Sequence, residues 1–357
     1  MDTVRSGEPM VAGYDGVVCD LDGVVYRGSD AVPEAAEALQ ELVARGMKVV
    51  YATNNASRVP DEVAAQVAGF GAPATPSDVV SSAQAGAAQL AGQLERGASV
   101  LALGGEGVVE ALKDAGLVPV SPGGGVDEVA GVSAVLQGYG KQLRVGDFES
   151  AARALTTGLL WVATNDDATL PLPWGQSPGN GAYVDLLAAT LGRRPAVVGK
   201  PHPPLYRLAL DRLGTRPDRT LAIGDRLGTD IVGAEAAGID SAWVLTGVDR
   251  PTDLVAGDAS PTYVLGSLDQ LLQPYAAPVP DADGWRCGAA RVTCTDEGLH
   301  IERGSGTPIE VVRAGLAALL RLRDERSDRD ELCRDAEALD RLLDDSATTP
   351  PTTDPVA

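Results

Sequence analysis

Residues 14–24 read YDGVVCDLDGV. The run from Tyr14 to Leu21 is short, apolar and rich in Val, which is typical of a buried strand. It brings two carboxylates, Asp20 and Asp22, to the carboxyl end of that strand, where parallel sheets bind their ligands. There an ionised Asp can attack a phosphoryl group, and a second, protonated Asp can protonate the leaving oxygen. Taken alone, the pattern also fits an Asp-Gly turn that caps a helix.

Strand and helix patterns alternate along most of the chain, which indicates a parallel sheet covered by helices on both faces. The other strands predicted for this sheet are Lys48–Thr53, Ala196–Val198, Thr220–Ile223 and Ser241–Leu245, with helices at Pro33–Arg45 and from Pro60. A second set of patterns lies between them, with strands at Ser99–Leu103, Val132–Gln137 and Leu160–Thr164 and helices at Gly105–Ala115, Asp147–Thr157 and Ala182–Leu191.

These patterns predict an α/β fold in which an inserted α/β domain of about 100 residues interrupts a doubly wound, Rossmann-like core with a parallel sheet. A small α+β module follows the core after a linker at Ala276–Pro280. Its predicted elements are strands at Ala289–Thr293 and Leu299–Glu302 and helices at Ile309–Leu322 and Arg329–Leu343. The predicted boundaries are 14–95 and 194–275 for the core, 96–193 for the insertion, 281–345 for the module and 346–357 for a Pro/Thr-rich, disordered tail.

Polar residues with phosphate or metal chemistry follow three later strands. Thr53 and Asn54 offer a hydroxyl and amides for phosphate oxygens, and Lys200 offers a point cation for phosphate charge. Asp225 is placed to share an Mg²⁺ ion with Asp20, because Mg²⁺ prefers oxygen ligands. Each feature alone also fits a turn, a helix cap or a surface lysine. The presence of all of these features together, at the ends of successive strands, is not expected by chance.

This set of motifs resembles the haloacid dehalogenase superfamily of phosphotransferases over residues 14–275. It is most similar to the C2-capped phosphatases of subfamily IIA. That group includes 4-nitrophenylphosphatase-like, pyridoxal-phosphate, phosphoglycolate and glycerol-3-phosphate phosphatases. The resemblance implies that the inserted domain is a C2-type cap and that the enzyme works through an aspartyl-phosphate intermediate.

The resemblance also implies roles for the matching residues. The nucleophile would be Asp20, the general acid and base Asp22, the phosphate ligands Thr53, Asn54 and Lys200, and the Mg²⁺ ligands Asp20, the backbone carbonyl of Asp22, and Asp225, with Asp230 behind the direct ligands.

Two departures from the family pattern bear on metal and substrate. Gly228 lies in the run GDRLGTDI, where relatives often carry an acidic residue close to the water shell of the metal. In the cap loop, the expected specificity residues are Asn165, Asp167 and Leu170. Leu170 takes the place of the His with which pyridoxal-phosphate phosphatases sandwich the ring. We therefore expect a small, non-aromatic substrate.

The predicted function is Mg²⁺-dependent hydrolysis of a small phosphorylated metabolite, with glycerol 3-phosphate first. The alternatives are 2-phosphoglycolate, or broad specificity for 4-nitrophenyl phosphate and nucleotides. A phosphotransferase or mutase is a further alternative, and so is a non-catalytic, ligand-binding regulator. The regulator is expected to lack at least one of Asp20, Asp22, Lys200 and Asp225, and all four are present.

Composition excludes several other classes of protein. With 29 basic and 50 acidic residues the net charge is −21, and no basic cluster is present for nucleic acid or an anionic membrane. We expect a cytoplasmic protein, because no apolar run reaches the roughly 18 residues of a membrane span and no signal peptide is visible. The four cysteines lack the spacing of a disulfide framework or zinc site. A homodimer is left open.

The loop at 303–308, RGSGTP, faintly resembles the pyrophosphate loop of GCN5-related acetyltransferases. Pro308 at the first position of a helix has a purely structural explanation as well. The C-terminal module is about half the size of such a domain, so we expect an accessory role for it rather than acetyl transfer.

Overall fold

The computed structural model describes residues 7–124, 129, 131–172, 174–295, 298–302, 306–325 and 329–348. In chain order the strands are β1 (Gly16–Cys19), β2 (Tyr26–Arg27), β3 (Asp30–Ala31), β4 (Lys48–Thr53), β5 (Val79–Ser81), β6 (Ser99–Leu103), β7 (Val118–Val120), β8 (Ala134–Gln137), β9 (Leu160–Ala163), β10 (Thr169–Leu172), β11 (Gly175–Pro178), β12 (Ala196–Val197), β13 (Thr220–Gly224), β14 (Asp240–Val244), β15 (Tyr263–Leu265), β16 (Val279–Asp281), β17 (Gly284–Cys287), β18 (Ala290–Thr295) and β19 (Gly298–Ile301).

The helices are α1 (Ala35–Ala44), α2 (Pro60–Gly69), α3 (Ser82–Ala91), α4 (Glu106–Asp114), α5 (Val145–Leu155), α6 (Asn180–Leu191), α7 (Pro203–Leu213), α8 (Val232–Ala236), α9 (Pro251–Ala256), α10 (Pro308–Glu325) and α11 (Arg329–Thr348). None of those within the described ranges has the length and apolar character that a membrane span needs.

The core is a six-stranded parallel sheet with the order β15-β14-β13-β1-β4-β5. Strand β1 lies inside it, paired with β13 on one side and β4 on the other. Its residues Val17 and Cys19 pack into one hydrophobic cluster and Val18 into another. Both faces are therefore buried, which explains why the strand reads as a continuous apolar run without alternation. The predicted doubly wound α/β fold is confirmed.

A second parallel sheet has the order β12-β9-β8-β6-β7, and the antiparallel hairpin β10–β11 follows its strand β9. One assignment is wrong. Ala196–Val198 was predicted as a core strand, but β12 (Ala196–Val197) pairs with β9 in the second sheet. Its short apolar pattern shows that it is a strand but carries no information about its partner, which long-range packing decides.

The two sheets meet at a seam where backbones lie very close together. Gly105 precedes α4 and Gly107 lies in its first turn. A Cβ on Gly105 would lie 2.9 Å from the carbonyl oxygen of Ser57, and one on Gly107 would overlap the carbonyl oxygen of Arg58. Glycine is required at both positions because the helix start packs directly on the loop that follows β4.

The C-terminal module is an antiparallel sheet, β16-β17-β18-β19, packed with α10 and α11. The predicted linker at Ala276–Pro280 is wrong at its end, because Val279 and Pro280 form part of β16. The predicted tail is wrong at its start, because α11 continues to Thr348. The rest of the tail and residues 303–305 of the acetyltransferase-like loop lie outside the described residues.

The module shares one hydrophobic cluster with the core. Leu319 and Leu339 of the module are fully buried in the same cluster as Trp243 and Leu254 of the core. Because these side chains pack together, the module and the core depend on each other for burial of their apolar surface.

We predict that Leu319→Ala lowers the free energy of unfolding of the whole protein by about 2–5 kcal/mol, because it leaves a cavity in this shared cluster. Urea unfolding followed by far-ultraviolet circular dichroism and by tryptophan fluorescence should show one coincident transition, shifted to lower urea. A separate early transition, with the main one unmoved, would show that the module unfolds independently of the core.

Candidate active site

The structure brings the predicted residues together at the carboxyl ends of three adjacent core strands. Asp20 follows β1, Thr53 ends β4, and Asp225 follows β13. The backbone N–H of Asp20 donates to the carbonyl of Ile223 at 2.8 Å, which continues the sheet pairing into the site. This is the point where the strand order reverses, the usual ligand crevice of a doubly wound sheet.

Lys200 supplies the positive charge at this point. Its ammonium contacts a carboxylate oxygen of Asp20, lies 2.6 Å from Oδ1 of Asp230, and donates to the carbonyl of Ala52 at 3.1 Å. The residue is 4% exposed. Although burial by itself lowers the pKa of an ammonium, Asp20 and Asp230 outweigh it and raise the pKa of Lys200 well above its usual value.

Three carboxyl groups, of which those of Asp225 and Asp230 are buried and that of Asp20 is partly buried, face one another beside this lysine. One oxygen atom each from Asp20, Asp225 and Asp230 lies within 4.8 Å of the others. Burial is the main cause that raises the pKa of Asp225, and repulsion from Asp230 adds to it. Burial also raises the pKa of Asp20, together with repulsion from Asp230 and Asp225, although the attraction of Lys200 works against this. A divalent cation would relieve this repulsion.

The cluster fits Mg²⁺ in its donor chemistry. Oδ1 of Asp225 and Oδ1 of Asp230 are both buried, and neither accepts a hydrogen bond within the described part of the chain. Oδ1 of Asp230, however, lies 2.6 Å from the ammonium of Lys200, an ion pair that already balances its charge. Asp230 is occupied by Lys200 and by the backbone N–H of Arg226, which donates to its Oδ2 at 3.1 Å. Asp20 and Asp225 are therefore the carboxylates best placed as direct ligands, with Asp230 behind them.

The backbone around the cluster is held by two aromatic side chains. Trp243 Nε1 donates to the carbonyl of Asp225 at 3.0 Å, and the Tyr206 hydroxyl donates to the carbonyl of Asp230 at 2.8 Å. The N–H of Val248 donates to Oδ2 of Asp225 at 3.0 Å. These bonds orient the carboxylates before any ligand arrives.

Asp22 lies at the mouth of the site, exposed to the cavity but partly desolvated by its walls. This partial burial raises the pKa of its carboxyl above the usual value. A raised pKa suits a group that must carry a proton to a leaving oxygen. The next residue, Gly23, has φ +84°, and a Cβ there would overlap the carboxylate of Asp225, so only glycine fits between the two carboxylates.

A cavity of about 720 Å³ opens above the cluster, between the core and the second sheet. The cap residues predicted for specificity, Asn165, Asp167 and Leu170, all line it. Desolvation raises the pKa of Asp167, whose Oδ2 accepts a hydrogen bond from Asn54 at 3.2 Å. Leu170, in the hairpin strand β10, adds an apolar surface to the cap wall.

Several charged residues of this cavity were not predicted, among them Arg58, Lys141 and Arg226. Arg226 directly follows Asp225 in the sequence, and its charge favours the ionised forms of Asp22 and Asp225. Lys141 is one of only four lysines, at 48, 113, 141 and 200, and that scarcity was the one signal available for it. The cap brings it to the cavity from a loop with no motif of its own.

Comparison with known proteins agrees with this geometry. A family model described as haloacid dehalogenase-like hydrolase matches residues 17–118, and a second model of similar description matches residues 197–271. The D-glycerol 3-phosphate phosphatase of Mycobacterium tuberculosis is 39% identical over 84% of this chain and 87% of its own length. The chain belongs to the haloacid dehalogenase-like hydrolases. The predicted family and the predicted enzyme class, a phosphoric monoester hydrolase, are confirmed.

Solved structures resemble this haloacid dehalogenase-like hydrolase to different extents. A glycerol phosphate phosphatase from M. tuberculosis, in complex with magnesium, has a TM-score of 0.77 and 37% identity, covering 88% of this chain and 92% of that one. A p-nitrophenyl phosphatase from Archaeoglobus fulgidus has a TM-score of 0.67 and 29% identity, covering 72% and 98%. About a quarter of this chain therefore has no counterpart in the shorter relative.

A third relative widens the range of reactions in the family. The 5′-nucleotidase YutF of Bacillus subtilis is 33% identical over 73% of this chain and 98% of its own length. Relatives of this hydrolase thus carry names both for a glycerol phosphate and for a nucleotide.

We predict that Gly247→Ala weakens Mg²⁺ binding about tenfold or more, because a Cβ there would overlap the carboxylate of Asp225 and displace it. Gly146→Ala is the matched control: it lies in α5, outside the metal cluster and the cavity lining, and its Cβ would meet nothing within 4 Å. Titration calorimetry with MgCl₂ measures both. Equal affinities for the two variants would contradict the assignment of Asp225 as a direct ligand.

Proposed function

We propose that this protein is a Mg²⁺-dependent phosphatase that hydrolyses glycerol 3-phosphate to glycerol and phosphate through an aspartyl-phosphate on Asp20. The observation that carries the proposal is the placement of Asp20, Asp22, Lys200 and Asp225 at one point of the sheet, below a cavity that the cap closes from above. The M. tuberculosis relatives, named for glycerol phosphate, support the choice of substrate.

In the first step, a carboxylate oxygen of Asp20 attacks phosphorus, and the bond between phosphorus and the glycerol oxygen breaks. Asp22 gives its proton to that oxygen, so glycerol leaves as a neutral alcohol. Lys200, held on Asp20, is positioned to balance the negative charge of the transferring phosphoryl group. Thr53 and the backbone amide of Asn54 are proposed to bind its oxygens from the end of β4.

In the second step, Asp22, now ionised, takes a proton from water. The resulting hydroxide attacks the phosphorus of the aspartyl-phosphate, the bond to the Asp20 oxygen breaks, and inorganic phosphate is released. Asp22 ends protonated and Asp20 ends as a free carboxylate, so both groups return to their starting states. The cavity walls limit the access of other water during this sequence.

Asp20, the backbone carbonyl of Asp22, and Asp225 are proposed to hold Mg²⁺, with Asp230 supporting them. When bound, Mg²⁺ offsets the negative charge of the phosphate and of the carboxylates around it. Oδ1 of Asp225, which is buried and has no hydrogen-bond partner among the described residues, fits such a cation.

The leaving group is chosen by the cap. Leu170 contributes an apolar contact where a ring-stacking His would favour an aromatic substrate, and Asn165 and Asp167 contribute polar groups. The cavity of about 720 Å³ is larger than glycerol phosphate needs, and one relative is a 5′-nucleotidase. Broad specificity, including 2-phosphoglycolate and nucleotides, is therefore the second candidate.

Two further alternatives remain as predictions to be separated by experiment. A phosphotransferase or mutase would share the intermediate but pass the phosphoryl group to an alcohol rather than to water. A non-catalytic regulator is disfavoured, because Asp20, Lys200 and Asp225 are in contact or within one cluster and Asp22 lines the cavity above them. Cytoplasmic location and a homodimer stay predictions from the sequence.

We predict Mg²⁺-dependent phosphate release from a panel of glycerol 3-phosphate, 2-phosphoglycolate, pyridoxal 5′-phosphate, 4-nitrophenyl phosphate and a nucleoside monophosphate, with the highest kcat/KM for glycerol 3-phosphate. EDTA should abolish release. A different ranking would move the assignment to the second candidate. Phosphoryl transfer to added glycerol that exceeds hydrolysis would favour the phosphotransferase.

We predict that Asp20→Asn lowers kcat by at least about a thousandfold, because it removes the nucleophile itself. Thermal unfolding should show a folded variant with a Tm equal to or above that of the parent, since one buried like charge is removed from the cluster. Substantial residual turnover in a folded Asp20→Asn variant would contradict the aspartyl-phosphate pathway.

A further inference from the structure

The side chain of Asn54 binds the backbone of Lys200 at two points. Oδ1 of Asn54 accepts a hydrogen bond from the N–H of Lys200 at 2.7 Å, and Nδ2 donates to the carbonyl of Lys200 at 2.9 Å. One amide group thus satisfies both backbone polar groups of a residue 146 positions away. The amide therefore does for Lys200 what a neighbouring strand does in a sheet, where it binds the N–H and the carbonyl of the same residue.

The side-chain amide of Asn54 also donates a hydrogen bond to the cap. Nδ2 of Asn54 also donates to Oδ2 of Asp167 at 3.2 Å. A side-chain amide has two N–H donors, and both of those of Asn54 are used within the protein. With its side chain bound to the protein in this way, Asn54 has its backbone amide left for the predicted contact with a phosphate, and that contact stays a proposal.

The approach of Asn54 to this segment depends on Gly199. A Cβ on Gly199 would lie 2.6 Å from Oδ1 of Asn54 and would overlap the carbonyl of Thr164. The residue before the lysine is thus small enough for the amide to reach the lysine backbone. The far end of the lysine is held separately, by Asp20, Asp230 and the carbonyl of Ala52.

The cap is attached to Asn54 through two more asparagines in series. Asn165 Nδ2 donates to the carbonyl of Asn54 at 2.8 Å, and Asn180 Nδ2 donates to the carbonyl of Asn165 at 2.7 Å. Asn165 is 5% exposed and Asn180, the first residue of α6, is 2% exposed. The chain of bonds runs from α6 of the cap to the backbone of Lys200 in the core.

We propose that Asn54 is a positioning residue for Lys200. It fixes the backbone from which the ammonium reaches Asp20, and its bonds to Asp167 and Asn165 make that position depend on the cap loop. A lysine side chain is long and flexible, so the position of its ammonium depends on where the backbone of the residue is held. The catalytic consequence of this inference rests on the proposed phosphatase function; the structural consequence does not.

The first test measures the position of Lys200 without any assay of activity. Acetic anhydride is applied to the folded protein, and the acetylation rate of each of the four lysines is read by mass spectrometry. Lys200 should be protected in the parent, while Lys113 and Lys141 react freely. Asn54→Ala should raise the rate at Lys200 about tenfold or more, because the local structure opens more readily, and leave Lys113 unchanged.

The matched control for this measurement is Asn55→Ala. The Asn55 side chain accepts hydrogen bonds from the N–H of Ser57 at 3.0 Å and from the Ser57 hydroxyl at 2.7 Å, within its own turn. This variant should leave Lys200 protected. Asn54→Asp provides a milder change, because it still accepts from Lys200 N–H but cannot donate to its carbonyl. Unchanged protection of Lys200 in folded Asn54→Ala or Asn54→Asp overturns the proposal.

The second test is a double-mutant cycle on kcat with the best substrate of the panel. Asn54→Ala should lower kcat about 100-fold in the parent, as expected for a misplaced catalytic group, and no more than about twofold in a Lys200→Ala background. Equal losses in both backgrounds, or a loss confined to KM, would mean that Asn54 acts on the substrate directly. Absence of turnover in the parent would refute the phosphatase while leaving the labelling result to decide the role of Asn54.

Discussion

Mutual repulsion among three carboxylates, two buried and one partly buried, set against one buried ammonium, is the constraint on which the rest of this structure depends. Asp20, Asp225 and Asp230 lie close enough together to share a cation, and Lys200 is bound to two of them. Burying such charges is costly unless each is paired and oriented. Backbone amides and aromatic side chains around the cluster supply that orientation. The ammonium is thereby held in place for a phosphoryl group, and the carboxylates are held in place for a divalent cation.

The same cluster explains why the molecule needs two sheets. The core places the reacting carboxylates at its strand ends, but it leaves the site open above. The second sheet closes a cavity over them and contributes the residues that face the leaving group. Glycines at the seam, such as Gly105 and Gly107, let the two backbones touch. The core thus contributes the reacting carboxylates, and the cap contributes the opposite wall of the cavity. This division is consistent with a family whose relatives carry names for different phosphate esters.

Much of the site could be predicted because its signals are local. Asp20 and Asp22 follow an apolar run, and Asp225 follows another, so position at a strand end can be inferred from a few neighbouring residues. The short edge strands and the sheet membership of β12 had no such local signal in the sequence. The edge strands β5 and β15 are three residues long each, and β12 belongs to the other sheet. Arg226 and Lys141 lack a motif, since a cation at a cavity wall looks like any surface cation in sequence.

The order and spacing of the reacting groups could be read from the amino-acid sequence, and with them the α/β core, the family and the class of chemistry. Those properties can be inferred from short runs of sequence, because each motif consists of a few neighbouring residues at the end of a predicted strand. The folded molecule was needed to see that the amide of Asn54 binds the backbone of Lys200. It was also needed to see that Asn165 and Asn180 continue this connection into the cap. A side-chain amide can bind phosphate, backbone or carboxylate equally well. For Asn54 and Asn165 the partner is chosen by packing between segments more than a hundred residues apart.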